Sequence, residues 1–187
     1  MLPGVGDEAP VEGGAPEDPD LVAWARGLGA LQEAERLGSA RVGTEHLLLA
    51  SLLDPVARRL AYDAGIDSRT VQHRIGPPVR AGIAAPPGQL PGAGEMRLSD
   101  GAGRVLAALR DGAEGEPAFA GWVRPDRSTD PRSRSLLRRR LLALLVAGDL
   151  EGGEAGGARS LLARLEVEPH LDRLLARLAD PDDAPSR

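Results

Sequence analysis

The sequence lacks cysteine, lysine and asparagine, and its 187 residues include only two Trp, one Tyr and one Phe. Without cysteine the chain forms neither disulfides nor thiolate sites, which fits a reducing compartment. Without lysine it has no Gly-x-x-x-x-Gly-Lys motif, which excludes a phosphate-loop ATPase. All 23 cationic residues are therefore Arg, as the coding bias of a GC-rich genome would produce, and the net charge of −5 argues against a general polyanion binder.

Long apolar segments are missing too. The most apolar run, Leu141 to Ala147, is far shorter than the roughly 20 residues that a membrane span needs. The start of the chain is acidic and rich in Pro and Gly, unlike a signal peptide. We therefore expect a soluble, cytoplasmic protein with a disordered acidic tail at 1–19 and a polar tail at 181–187.

Apolar residues recur at spacings of three and four along most of the chain, and no segment alternates with period two, so we predict an all-α fold. The first half should hold four helices, beginning at an Asp20 cap, at Thr44, at Asp54-Pro55 and at an Asp67 or Ser68 cap. The first should run to Gly38 and the second, rich in leucine, to Leu53 near the centre of the fold. In the second half we predict a helix capped by Ser99 and three more at 133–146, 155–165 and 169–179.

An internal repeat is also visible, since Ala57-Arg-Arg-Leu60 is echoed 101 residues later by Ala158-Arg-Ser-Leu161. A segment rich in Pro and Gly at 77–96 reads as a linker. We therefore predict a pseudo-twofold tandem repeat of two four-helix motifs, at 20–76 and 97–180. The second copy is degenerate, with inserted loops at 112–131 and 148–157.

Two consecutive segments carry a family resemblance: Ala30-Leu-Gln-Glu-Ala-Glu-Arg-Leu-Gly38 and Val42-Gly-Thr-Glu-His-Leu-Leu-Leu49. Together with Ala57-Arg-Arg-Leu60 and Ala64-Gly-Ile-Asp67, they resemble the N-terminal repeat domain of Clp ATPases, here standing alone without an ATPase. The match covers Asp20 to about Ile75. The second half is similar mainly in helix order and hydrophobic pattern.

This resemblance implies a bundle of eight helices that receives protein substrates, adaptors or small cyclic peptides. In C-type Clp domains each repeat can hold a phosphorylated arginine. The Glu of the Gly-Thr-Glu-His motif faces the guanidinium, and a hydroxyl residue that opens the first helix lies near the phosphate. The first repeat here keeps Glu45 and, beside it, Thr44, which we also expect to bind ligand, but it has Asp20 in place of the hydroxyl. The second keeps Ser99 but has Arg139 in place of the acid. Neither site is expected to be intact.

Other candidate residues are less specific. Trp24 fits a core stripe, whereas Trp122 lies in the long loop and is either an exposed anchor or a core residue. His46 belongs to the resembled motif and should be a buried structural histidine. We predict no catalytic residues, no cofactor and no metal site.

The basic cluster comprises Arg132, Arg134, Arg138, Arg139 and Arg140. It is either the solvated side of its helix or a patch for nucleic acid or an acidic partner. The leading hypothesis is a non-enzymatic binding or regulatory protein that acts with a Clp unfoldase, its substrates or Clp-directed peptides. The alternative is a helical nucleic-acid-binding regulator that uses this basic cluster.

Overall fold

A computed structural model describes residues 18–75, 96–114, 131–148 and 157–179. Most of the predicted linker, most of both predicted loops and Trp122 lie outside these ranges. The described residues form nine helices and two strands of two residues each. In chain order they are α1 Pro19–Leu28, α2 Ala30–Arg36, β1 Arg41–Val42, α3 Thr44–Ser51, α4 Pro55–Asp63, α5 Ser68–Ile75, β2 Arg97–Leu98, α6 Asp100–Ala113, α7 Pro131–Ala147, α8 Ala158–Arg164 and α9 Glu168–Ala179.

The prediction of an all-α fold is confirmed, apart from the pairing of β1 with β2. These strands run parallel, with Val42 opposite Leu98, and the sequence analysis did not predict them. Two residues are too few to produce a period-two pattern. The pairing nevertheless fixes the entrances of α3 and α6 side by side, because each strand ends one residue before the N-cap of its helix.

The prediction of one helix over 20–38 is wrong, because the chain breaks at Gly29 into α1 and α2. Gly29 has φ of +100°, which L-amino acids with a side chain rarely adopt. A Cβ added there would lie 2.8 Å from Leu53 Cδ1. The helix also begins earlier than predicted: Asp18, not Asp20, is the N-cap, and its carboxylate accepts a hydrogen bond from the Asp20 backbone N–H at 3.0 Å.

Helix α3 lies at the centre of the fold and packs against α2, α7 and α8, as its leucines predicted. Leu47, Leu48, Leu49 and Leu52 are each at most 2% exposed. Leu53 is an exception to the prediction, since it follows the end of α3 and is 43% exposed. Trp24 is buried in the same core, as predicted.

The other helix starts follow local capping chemistry. Asp54 caps α4 through the Ala57 backbone N–H, and Ser99 caps α6 through that of Ala102, both as predicted. Asp67 accepts from the Thr70 N–H at the start of α5. On α7, Leu136 is 42% exposed, whereas its neighbour Leu137 is buried. Within the described ranges, no helix is long and apolar enough to span a membrane.

Candidate functional site

The Gly43-Thr44-Glu45-His46 segment forms the entrance to α3. Gly43 is the N-cap, and its backbone N–H donates to His46 Nδ1 at 3.0 Å. Since Nδ1 accepts this bond, the tautomer that fits carries its proton on Nε2 and donates it to Ser39 Oγ at 2.9 Å. His46 is 1% exposed. Its predicted role as a buried structural histidine agrees with this geometry.

The Glu45 side chain folds back over this entrance and is 20% exposed. A Cβ at position 43 would overlap the Glu45 carboxylate, so a larger residue there would push this flexible side chain aside. Glu45 Oε1 lies 3.0 Å from His46 Nδ1. That nitrogen already accepts from Gly43, so it has no proton to share with Glu45. Glu45 forms no ion pair with an arginine of the described residues, and its carboxylate therefore keeps acceptor capacity for a cationic ligand.

Thr44 was predicted as a ligand-binding residue, but it is fully buried. Its Oγ1 accepts a hydrogen bond from the Ala158 backbone N–H, at 2.9 Å. Ala158 is the first residue of α8, whose N-cap, Gly157, has no side chain that could cap the helix. The Thr44 hydroxyl therefore contributes to the packing of α3 on α8.

The structure brings Ser99 next to the α3 entrance. The Ser99 backbone N–H donates to the Val42 carbonyl at 2.9 Å, so Ser99 is joined to the residue directly before Gly43. Ser99 is 6% exposed, and its hydroxyl accepts from the Ala102 N–H at 3.2 Å. The resemblance described in the sequence analysis assigns Glu45 and Asp20 to the first site, and Ser99 and Arg139 to the second. The pairing of β1 with β2 instead connects the Ser99 cap to the segment that carries Glu45.

Asp20 is exposed in the first turn of α1, and the carboxylate that opens this helix belongs to Asp18. Asp18 Oδ2 lies 2.9 Å from Arg110 Nη1, on α6. The hydrogen bond from Arg110, followed by the bond from the Asp20 backbone N–H, lowers the pKa of the Asp18 carboxyl. The negative charge at this helix start therefore already has a cationic partner within the chain.

Arg139 lies against buried Asp54 at the start of α4. Its Nε is 3.3 Å from Asp54 Oδ1, and the two side chains are 16% and 3% exposed. Asp54 Oδ1 also accepts from the Ala57 N–H at 2.8 Å, and Oδ2 accepts from the Ser135 hydroxyl. The sequence analysis did not predict this cluster, because nothing near Asp54 in the sequence relates it to α7. The Asp-Pro pair indicated only that α4 begins here.

The neighbouring arginines of the basic cluster also contact the protein. Arg138 donates from Nε and Nη2 to the Leu28 carbonyl, at 3.1 and 2.9 Å, which caps the end of α1. Burial, and secondarily the nearby charge of Arg134, lowers the pKa of the Arg138 guanidinium. Arg140 Nη1 donates to the Gly112 carbonyl at 3.3 Å. The expectation that this is simply the solvated side of the helix is wrong for Arg138 and Arg139, which are half-buried.

Trp122 lies outside the described residues. Within those residues no group of three or more His, Asp or Glu side chains is arranged to hold a metal ion. Comparison with protein-family models, curated proteins and solved structures finds no match.

Proposed function

We propose that this chain is a non-enzymatic binding module of the Clp N-terminal repeat type. It would act with a Clp unfoldase as an adaptor or a decoy, receiving protein substrates, adaptors or Clp-directed peptides. The observation that carries the proposal is the placement of Glu45. Its carboxylate lies at the entrance of the central helix, is partly exposed and keeps unused acceptor capacity. In the resembled family, the Glu of this motif faces a guanidinium.

The packing of the two halves supports the repeat architecture behind this proposal. Helices α1, α3, α4 and α5 can be matched with α6, α7, α8 and α9 in the same order. Under this exchange the contacts α1–α6 and α3–α7 map onto themselves. The same exchange turns the pair α3–α8 into α4–α7, the pair α4–α9 into α5–α8, and the pair α3–α6 into α1–α7. In each case both the original pair and its counterpart are in contact. Such an exchange is what a pseudo-twofold pair of four-helix motifs requires.

Polar contacts follow the same exchange. Thr44, at the start of α3, binds the first backbone N–H of α8. In the matching place, Ser135 and Arg139 of α7 bind Asp54, the N-cap of α4. In each case the central helix of one half holds the start of a short helix of the other. The chemistry differs, but the location is equivalent, as expected for a degenerate second copy.

The nucleic-acid alternative depends on free guanidinium groups along 132–140. Arg138, Arg139 and Arg140 instead donate to acceptors within the chain. Phosphate binding by these residues would compete with the contacts that hold α7 to α1, α4 and α6. We therefore favour the protein-binding function.

The test is a degradation assay in which this protein is titrated into a Clp unfoldase–peptidase acting on an unstructured model substrate. We expect a saturable change in rate, a decrease for a decoy and an increase for an adaptor. Glu45→Gln should weaken the effect. Glu35→Gln, a matched change at an exposed position of α2, should leave it unaltered. An unchanged rate at saturating protein, or an effect that Glu45→Gln and Glu35→Gln alter equally, would contradict the proposal.

A further inference from the structure

A cleft of about 310 Å³ opens between α4 and α9. This volume lies at the small end of the range, about 300–1,000 Å³, in which proteins bind small ligands. The floor of the cleft is apolar and formed by Leu60, Ala64 and Leu174, each at most 6% exposed. These three side chains expose little surface, so the floor offers a ligand only a small apolar contact below a largely polar rim.

The rim of the cleft is charged. Asp63 lies on the α4 side, and His170, Arg173 and Arg177 follow one another along one face of α9. Arg177 Nη1 and Asp63 Oδ2 are 2.8 Å apart, so these two charges largely neutralise each other across the cleft. Arg173 forms no ion pair with any residue of the described ranges. One positive charge therefore remains beside an apolar floor, with the His170 ring one turn away.

The charge balance indicates the class of ligand. One negative charge would neutralise Arg173, and the planar guanidinium fork matches the geometry of a carboxylate. A phosphate dianion would bring a second negative charge close to Asp63, which a monoanion avoids. The cleft thus combines a site for a single carboxylate with a small apolar surface next to it.

The cationic rim of the cleft belongs to α9 and is not repeated on α5, the matching helix of the first half. Val71 is the buried residue of α5 and Leu174 that of α9. When α5 and α9 are aligned so that Val71 matches Leu174, Asp67 and Thr70 fall at the positions of His170 and Arg173. Asp67 instead caps α5 by accepting from the Thr70 N–H at 3.0 Å. The cationic pair is therefore absent from the equivalent contact of α5 with α8, and the site does not follow from the repeat architecture.

We propose that the cleft between α4 and α9 binds a monoanionic carboxylate with a short apolar body, such as the C-terminus of a peptide ending in a small apolar residue. Arg173 holds the carboxylate, His170 supplies a second hydrogen bond, and Leu60 and Leu174 contact the apolar body. Arg177 and Asp63 form the far wall of the cleft. This site is separate from the one around Glu45 and does not depend on the function proposed for it.

The test is calorimetric titration of the full chain with N-acetyl-Ala-Leu, which has a free carboxylate, and with its C-terminal amide. Octanoate serves as a second carboxylate, so that the two arms distinguish a peptide terminus from a simple alkyl acid. We expect at least one of the two acids to bind. If the peptide acid is the one that binds, its amide should bind about tenfold more weakly, because the amide loses a hydrogen bond to a charged group.

Arg173→Gln should weaken binding of the acid by a similar factor and remove the preference for acid over amide. Arg173 is exposed, so this change should leave the fold intact. The matched control is Arg58→Gln, an exposed arginine on a different side of α4 from Leu60. The proposal is overturned if neither acid binds up to about 10 mM, or if the Arg173→Gln and Arg58→Gln variants bind the acid equally well. If the peptide acid is the ligand, equally tight binding of its amide also overturns the proposal.

Discussion

Thr44 and Ala158 are 114 residues apart in sequence, yet Thr44 Oγ1 accepts a hydrogen bond from the Ala158 backbone N–H at 2.9 Å. Both residues are fully buried, so no water can replace this bond if it is lost. A residue of the family-like motif is thus used to join the two halves of the chain. The same contact makes the start of α8 depend on the start of α3.

Thr44→Val should lower the free energy of unfolding by about 1–3 kcal/mol, because it leaves the Ala158 N–H buried without an acceptor while keeping the side-chain shape. Chemical denaturation measures the effect. Thr70→Val is the matched control, since the Thr70 hydroxyl donates to Asp67 at an exposed site and should matter less. Equal losses in the two variants would show that the contact between α3 and α8 contributes nothing specific.

The Asp54–Arg139 contact should be energetically coupled. Asp54 is 3% exposed and binds α7 through both Ser135 and Arg139. A double-mutant cycle with Asp54→Ala and Arg139→Ala should give a coupling free energy of about 1–3 kcal/mol. The same cycle with Arg164→Ala, at an exposed position on α8, should be additive. If Arg139 faces a ligand site instead of Asp54, both cycles will be additive.

The Asp18–Arg110 contact should make stability depend on pH in the acid range. The pKa of Asp18 is lowered in the folded protein, so its contribution is complete above the ordinary Asp pKa of about 4 and is lost as pH falls through the folded value. Asp18→Asn, which keeps a capping side chain, should cost under about 1 kcal/mol at pH 7, because the pair is substantially exposed.

This cost should disappear in acid well below pH 4, as measured by denaturation at a series of pH values. Asp20→Asn is the control, because Asp20 is exposed and does not cap the helix. A cost for Asp18→Asn that is the same at pH 7 and in strong acid would rule out the ionic contribution.

Phosphoarginine should bind at least tenfold more weakly than it binds a C-type Clp domain, since the loss of one hydrogen bond to a charged group suffices for that factor. In the proposed Clp-type alignment, Arg139 stands where the second site needs an acid, and a carboxylate opens α1 where the first site needs a hydroxyl. Asp18→Thr should recover affinity and Asp20→Thr should recover less, because Asp18 is the N-cap. Calorimetry measures both, and binding by the unmodified chain as tight as that of a C-type domain would contradict this reading.

Local chemistry made part of this structure predictable. Asp54-Pro55 and Ser99 mark helix starts by the hydrogen bonds they make within their own turn, and both predictions are confirmed. Gly29 was not identified as a break, because a glycine within an apolar stripe is compatible with a continuous helix. Its left-handed conformation accompanies a close approach to Leu53, 24 residues further along the chain.

The candidate site was harder to predict because its partners are distant in sequence. Arg139 reaches Asp54 across 85 residues, and Ser99 joins Val42 through strands too short to leave a pattern. Matching positions between the two halves therefore identified candidate residues but not their neighbours. Glu45 was found from its motif, and its unused acceptor capacity emerged only from the contacts around His46.

The most direct measurement of the proposed function is calorimetric titration of this protein with a Clp-directed cyclic peptide, with duplex DNA titrated in parallel at two salt concentrations. We predict saturable binding of the peptide with a dissociation constant of about 1 μM or below, weakened by Glu45→Gln, and no comparable binding of DNA. The contradicting result is no heat from the peptide together with DNA binding that falls steeply as salt is raised, as release of counterions from phosphates requires.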